Sequence, residues 1–153
     1  MGLFDEKTGG LIVYWRTVSA ITDIVGTGDN ARIWPHKARQ GRGSSDPGKL
    51  DHVTFVRNGG HVFTDLSGST GARTTILHVY AWSSTPTGAE TLAEAIKNNT
   101  ANTTTTRTTL SGTVVHWIFC SDAPDDGVEL VESGGDNYAR YWVRHVFRIV
   151  HGE

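Results

Sequence analysis

Histidine, cysteine and paired carboxylates are the side chains that could carry a reaction here, and none stands where a reaction needs it. Seven histidines occupy positions 36, 52, 61, 78, 116, 145 and 151. A metal site needs ligands at short recurring spacing, usually with a carboxylate or thiolate among them. The chain has no H-E-x-x-H, no C-x-x-C and no histidine pair at such spacing beside a carboxylate. His78, His116 and His145 fall on three separate strand-like segments, so only the fold could bring them together. Capped core or surface histidines are the ordinary outcome. Cys120 is the single cysteine, so no internal disulfide forms. It lies in the apolar run Val114-Val115-His116-Trp117-Ile118-Phe119-Cys120, which suits a small buried hydrophobe better than a reactive thiol. Gly41-Arg42-Gly43 and Gly68-Ser69-Thr70-Gly71 lack the lysine and strand–turn–helix setting of a phosphate loop. There is no G-x-S-x-G, and no carboxylate pair is framed for acid–base work. No catalytic residue, metal ligand or cofactor is assigned, and an enzyme is not expected.

Binding chemistry is better represented. In Tyr138-Ala139-Arg140-Tyr141-Trp142-Val143-Arg144-His145-Val146-Phe147-Arg148-Ile149-Val150, side chains of a strand alternate between faces. Tyr141, Val143, His145, Phe147 and Ile149 make a core face. Arg140, Trp142, Arg144, Val146 and Arg148 make the other. The arginines recur every four residues, roughly 13 Å apart at about 3.3 Å per residue. A solvated face has little use for Trp142 and Val146 between its charges. Arginine and aromatic residues without lysine are the composition of an interface centre. The plain alternative is a helix crossing this face, with the arginine stems lying along apolar surface.

The chain has 153 residues, which suits one domain with a core that needs no staples. Net charge is -2, against a generally basic nucleic-acid coat. Charge is nonetheless segregated. Lys37, Arg39, Arg42 and Lys49 share one Gly/Ser-rich stretch, while Asp122, Asp125, Asp126, Glu129 and Glu132 gather elsewhere. Such separation could let copies stack on one another; solvated loops are the plain alternative. Residues 1–7 show no basic segment followed by an apolar core, so no signal peptide is expected. No apolar run is long enough to span a membrane. Asn98-Asn99-Thr100 and Asn102-Thr103-Thr104 match the glycosylation sequon by composition alone.

Leu11, Tyr14, Trp15, Val18, Ile21, Thr22 and Val25 predict one helix, ended by Gly26 and Gly28. Ala31-Arg32-Ile33-Trp34-Pro35 predicts a short strand, followed by a long loop over 36–49. Strands are expected over 52–57 and 61–66, turning at Asn58-Gly59-Gly60, with a second loop at 67–71. Residues 73–82 are apolar on both faces and suit a central strand. Thr87 with Glu90 predicts a capping box behind Pro86, and Ala89, Leu92, Ala93 and Ile96 form that helix's buried stripe. The helix should fade into a Thr/Asn tract over 98–109. Strands over 112–120, 128–131 and 138–150 complete an α+β fold: a single mostly antiparallel β-sheet packed by two helices, with long loops.

This order resembles the tail-terminator (tail-completion) proteins of long-tailed bacteriophages. The likeness covers most of residues 1–153. It is carried by Ala31-Arg32-Ile33-Trp34-Pro35 after the first helix, by Gly88-Ala89-Glu90-Thr91-Leu92-Ala93-Glu94-Ala95-Ile96 before a strand, and by the Tyr/Arg-rich closing strand. The loop over 36–49 and the Thr-rich tract are longer than the family pattern. The resemblance implies a structural virion protein, commonly a ring of six copies. The ring would cap the last ring of the major tail (tube) protein and receive the head's connector or stopper protein. Genome DNA would pass through it without sequence-specific binding, and no membrane is involved. Its place would be the tail or neck of the virion, after assembly in the host cytoplasm. On this reading Arg140, Trp142, Arg144 and Arg148 belong to an interface, and Lys37, Arg39, Arg42 and Lys49 to a loop that meets a partner or the DNA channel. A head–tail adaptor or stopper of the same neck region is the alternative; a small α+β enzyme or ligand-binding domain is a third.

Overall fold

The computed structural model describes residues 10–36, 50–65, 68–100, 108–110, 113–120, 123–133 and 136–152. The chain order is α1 (Gly10–Trp15), α2 (Ser19–Val25), a 3-10 turn (Gly28–Asn30), β1 (Ile33–Pro35), β2 (His52–Asp65) and β3 (Gly68–Ser83). There follow α3 (Pro86–Thr100), β4 (Thr108–Leu110), β5 (Thr113–Cys120), β6 (Asp125–Ser133) and β7 (Asp136–Gly152). Seven strands form one sheet in the order β1-β2-β3-β7-β5-β4, with β6 also paired to β7. Only β1 runs parallel to its neighbour β2; every other pairing is antiparallel. The class is therefore α+β with a mostly antiparallel sheet, as the alternation of β7 and the apolar β3 suggested.

All helices lie on one face. Leu92, Ala93 and Ile96 of α3 pack with Val79, Val143 and Phe147 of the sheet, and Trp15 of α1 meets Phe55 edge-on at 5.9 Å. The stripe expected for α3 is buried at all four positions. Burying these side chains supplies most of the drive to fold, at about 25 cal/mol per Å² of apolar surface.

Among the described residues the two expected helices are three. The single helix expected from Leu11 to Val25 breaks at Arg16–Val18. Thr17 turns its hydroxyl back onto the Tyr14 carbonyl at 2.7 Å, and Val18 is extended (φ -91, ψ 109) where α2 begins. Thr17 and Val18 are both β-branched and poor helix formers, and here the Thr17 hydroxyl competes for the backbone carbonyl. Gly26 does end α2, at φ 92, with its N–H on the Thr22 carbonyl. Arg32 then caps that end: Nη2 donates to the Ile24 carbonyl at 2.8 Å and Nε to the Asp51 carbonyl at 2.7 Å. A cation at a helix C-terminus suits the dipole and the orphan carbonyls there.

Asn58-Gly59-Gly60 is not a hairpin turn. β2 runs straight through it, and the pairing with β3 slips between Arg57 and Gly60. Gly59 at φ 91 supplies the left-handed residue a bulge requires rather than a reversal. The expected loop at 67–71 is likewise mostly strand, since β3 starts at Gly68. The cap of α3 is Thr85 rather than Thr87. Its hydroxyl accepts the Gly88 N–H at 3.1 Å, and Pro86 occupies the first helical position, where its missing N–H costs nothing. The helix also runs three residues into the expected fade, to Thr100. Asn99 Nδ2 donates to the Ala95 carbonyl at 2.7 Å, and Trp15 Nε1 donates to Thr100 Oγ1 at 2.9 Å. Part of the presumed polar tract is β4, paired to β5.

Two histidines on the helix-covered side are buried. His145 is 2% exposed, and burial first, then Lys97, lowers its pKa, against Glu94, which raises it. His151 is lowered first by burial, then by Arg73, Arg57 and His116, while its bond to the Gly152 carbonyl raises it. Burial disfavours the charged form of both in the fold, so the unfolded chain takes up more protons below its own value of about 6.5. Their contribution to stability is complete above that value and is lost as pH falls through it toward the folded values. Melting temperature should drop steadily from pH 7 to pH 5. His145→Gln should reduce that slope; an equal slope in the variant would acquit His145.

Candidate functional site

The opposite face of the sheet carries the candidate site. Among the described residues no helix lies on it. The alternation of β7 is as the sequence suggests. Val143, His145, Phe147 and Ile149 are buried, whereas Trp142, Arg144 and Val146 are half-buried and Arg148 is exposed.

Aromatic side chains run across this face from edge to centre. Trp34 leans on His52 at 5.6 Å, and His52 stacks on Trp82 at 5.8 Å and 8°. Trp82 stacks on Tyr80 at 5.9 Å, and Tyr80 meets Trp142 edge-on at 5.4 Å. Register places them: His52 faces Trp82, and Trp82 faces Trp142. Trp82 Nε1 is satisfied by Thr54 Oγ1 at 2.8 Å. Toward the other end Trp117 and Phe119 of β5 meet edge-on at 5.6 Å and are 48% and 53% exposed. Neighbouring aromatic pairs of this kind add about 0.5–1.5 kcal/mol beyond their buried area.

The four β7 residues expected at an interface divide. Arg140 pairs with Glu129 at 3.2 Å and its guanidinium lies 4.4 Å over the Trp82 ring. Arg144 sits between the Tyr80 hydroxyl and the Asp125 carboxylate, which hold it charged. Trp142 packs against Gly127, where an added Cβ would fall 2.5 Å from the indole. These three therefore fasten β6 to β7 and both to β3. Arg148 does not join them. It borders a groove of about 330 Å³ with Ile76, Phe119, Cys120 and Val146.

The strand expected over 128–131 is longer: β6 takes in Asp125 and Asp126 before it as well as Glu129 within it. Asp125 and Glu129 face arginines of the same chain, so charge segregation is partly cancelled within the subunit. Lys37, Arg39, Arg42 and Lys49 lie outside the described residues. His78, His116 and His145 do not converge. His78 is on the helix-free face, His145 on the covered one, and His116 sits at a slip in the β5–β7 pairing. His78 is lowered chiefly by burial, then by Arg144. Cys120 packs partly on the core, as expected, and its Sγ also lies 3.6 Å from His145 Nδ1.

Sequence reasoning missed Trp34, His52, Tyr80 and Trp82 as one row of neighbours, of which Trp34 and His52 are buried and Tyr80 and Trp82 half-buried. Each alternates correctly within its own strand, but only pairing shows that they are neighbours. It also missed the groove beside Arg148, which lies where β5 has ended its pairing with β7 and β6 has not begun. The described helices include none long and apolar enough to cross a membrane. No protein-family model and no curated protein matches the chain.

Proposed function

We propose that this chain is a structural subunit of a bacteriophage neck. Copies form a ring at the head-proximal end of the tail, stop growth of the tail tube and seat the head connector. The observation that carries this is the helix-free sheet face, with Trp117 and Phe119 half-exposed side by side next to Arg148. Contiguous apolar surface of this kind, rimmed by charge, marks a place where another protein sits. The order of elements supports the same reading, because the motifs that resemble tail terminators occupy β1, α3 and β7. Arg32 in the first motif joins α2 to β2, a structural duty. A ring needs no reaction centre, and the arginines and aromatics supply binding chemistry. The virion tail or neck is the proposed location, with DNA threading the ring and no base-specific contact.

The test uses tail tubes polymerised from the major tail protein. Purified chain added during polymerisation should arrest growth and leave a cap at one end of each tube in electron micrographs. Tubes of unchanged length with bare ends would refute the proposal.

A further inference from the structure

β7 is longer than the sheet it belongs to. It pairs with β3 only from Tyr141 onward, so its first five residues, with the end of β6, overhang the sheet. At about 3.4 Å per residue the overhang reaches roughly 17 Å. A lone two-stranded hairpin is marginal in water. This one is clamped at its root by Trp142 on Gly127 and by the Arg140–Glu129 and Arg144–Asp125 pairs. Beyond the root it presents Leu130, 85% exposed, and at the root Val128, 56% exposed, both on the side shared with Asp126. Among the described residues no side chain covers Leu130 to the extent that Pro86, Ala89 and Glu90 of α3 border Val128.

The groove bordered by Ile76, Phe119, Val146 and Arg148 is its complement. It is apolar with a cation at the rim; the arm is apolar on the side that carries Asp126. The arm cannot fill the groove of its own chain. Leu130 is locked opposite Ala139, seven residues from Val146 along β7 and on the other side of the sheet. Two arms would not pair with each other readily, because each edge carries Asp125, Asp126 and Glu129. We infer that the β6–β7 arm of one copy docks, through Leu130 and Val128, in the Ile76/Phe119/Val146 groove of the next copy, with Arg148 meeting Asp126, the carboxylate on the same side of the arm. Knob and socket lie on different parts of one subunit, so the contact is heterologous and propagates head to tail. This docking rests on the ring reading and names the surfaces that would close the ring.

Two variants test it in the full chain: Leu130→Asp, which spoils the arm, and Arg148→Glu with Phe119→Ser, which spoils the socket. All three positions are exposed, and unchanged melting curves verify folding. Each variant alone should weaken self-association on the order of 30-fold or more in light scattering at low salt. Mixed together they should form a one-to-one dimer that grows no further, because one intact arm then meets one intact socket. If the parent assembles and the socket variant assembles equally well, the arm has another seat and the inference fails while the ring stands. If the parent never self-associates, both fall.

Discussion

Replacing Trp15 with alanine should cost about 3–5 kcal/mol, the range for removing a large buried aromatic. Trp15 is 0% exposed and joins α1 to everything around it. Its ring meets Phe55 of β2 edge-on, and its Nε1 reaches Thr100 at the last turn of α3. One side chain thus fastens the first helix, the sheet and the end of the longest helix. Domains of this kind have about 5–15 kcal/mol in total, so the variant gives up a large share. Its melting temperature should fall on the order of 10 °C, given about 2–4 °C per kcal/mol at this size. Trp15→Phe keeps most of the volume and loses the hydrogen bond, and should fall by much less. Equal losses in the two variants would mean that the bond to Thr100, and not packing, holds α1.

Trp142→Ala is the second large effect, and it should appear in two readouts. Trp142 is half-buried between Tyr80, Trp82 and Gly127, so its removal should cost about 2–3 kcal/mol, below the fully buried range. It also removes the wedge at the root of the β6–β7 arm. Assembly should therefore fall further than stability alone accounts for, at temperatures where the variant remains folded. Arg140→Ala should be milder. Its ion pair is exposed and worth about 0.2–1 kcal/mol, and its seat over Trp82 adds a similar amount. Arg140→Ala as damaging as Trp142→Ala would show that charge rather than the indole sets the arm.

Much of this was legible in residue order because the rules involved are local. Alternation along β7 separated Val143, His145, Phe147 and Ile149 from Arg140, Trp142, Arg144 and Arg148 without any knowledge of the neighbours. The buried stripe of α3 followed from spacing alone. What was not legible depends on pairing. Gly59 favours a turn or a bulge equally well, and only the match of β2 to β3 on both sides of it decides for the bulge. Residues Leu11 to Val25 keep one apolar period, yet Thr17 and Val18 interrupt the backbone where Trp15 is already tied to α3. Thr85 and Thr87 are both plausible caps, and Pro86 decides between them by taking the first helical position. The strand expected over 128–131 starts earlier, at Asp125, where Arg144 of β7 stands opposite it. The same long-range pairing assembles the aromatic face, which is why the candidate site was only partly visible from one strand.

Native mass spectrometry of the full chain tests the ring most directly. The chain is 16.6 kDa, and a closed ring should appear as one whole-number multiple of that mass, six by the family resemblance, without a ladder of sizes. A protein that stays at the monomer mass, both alone and when mixed with tail tubes, would contradict the ring and the function built on it.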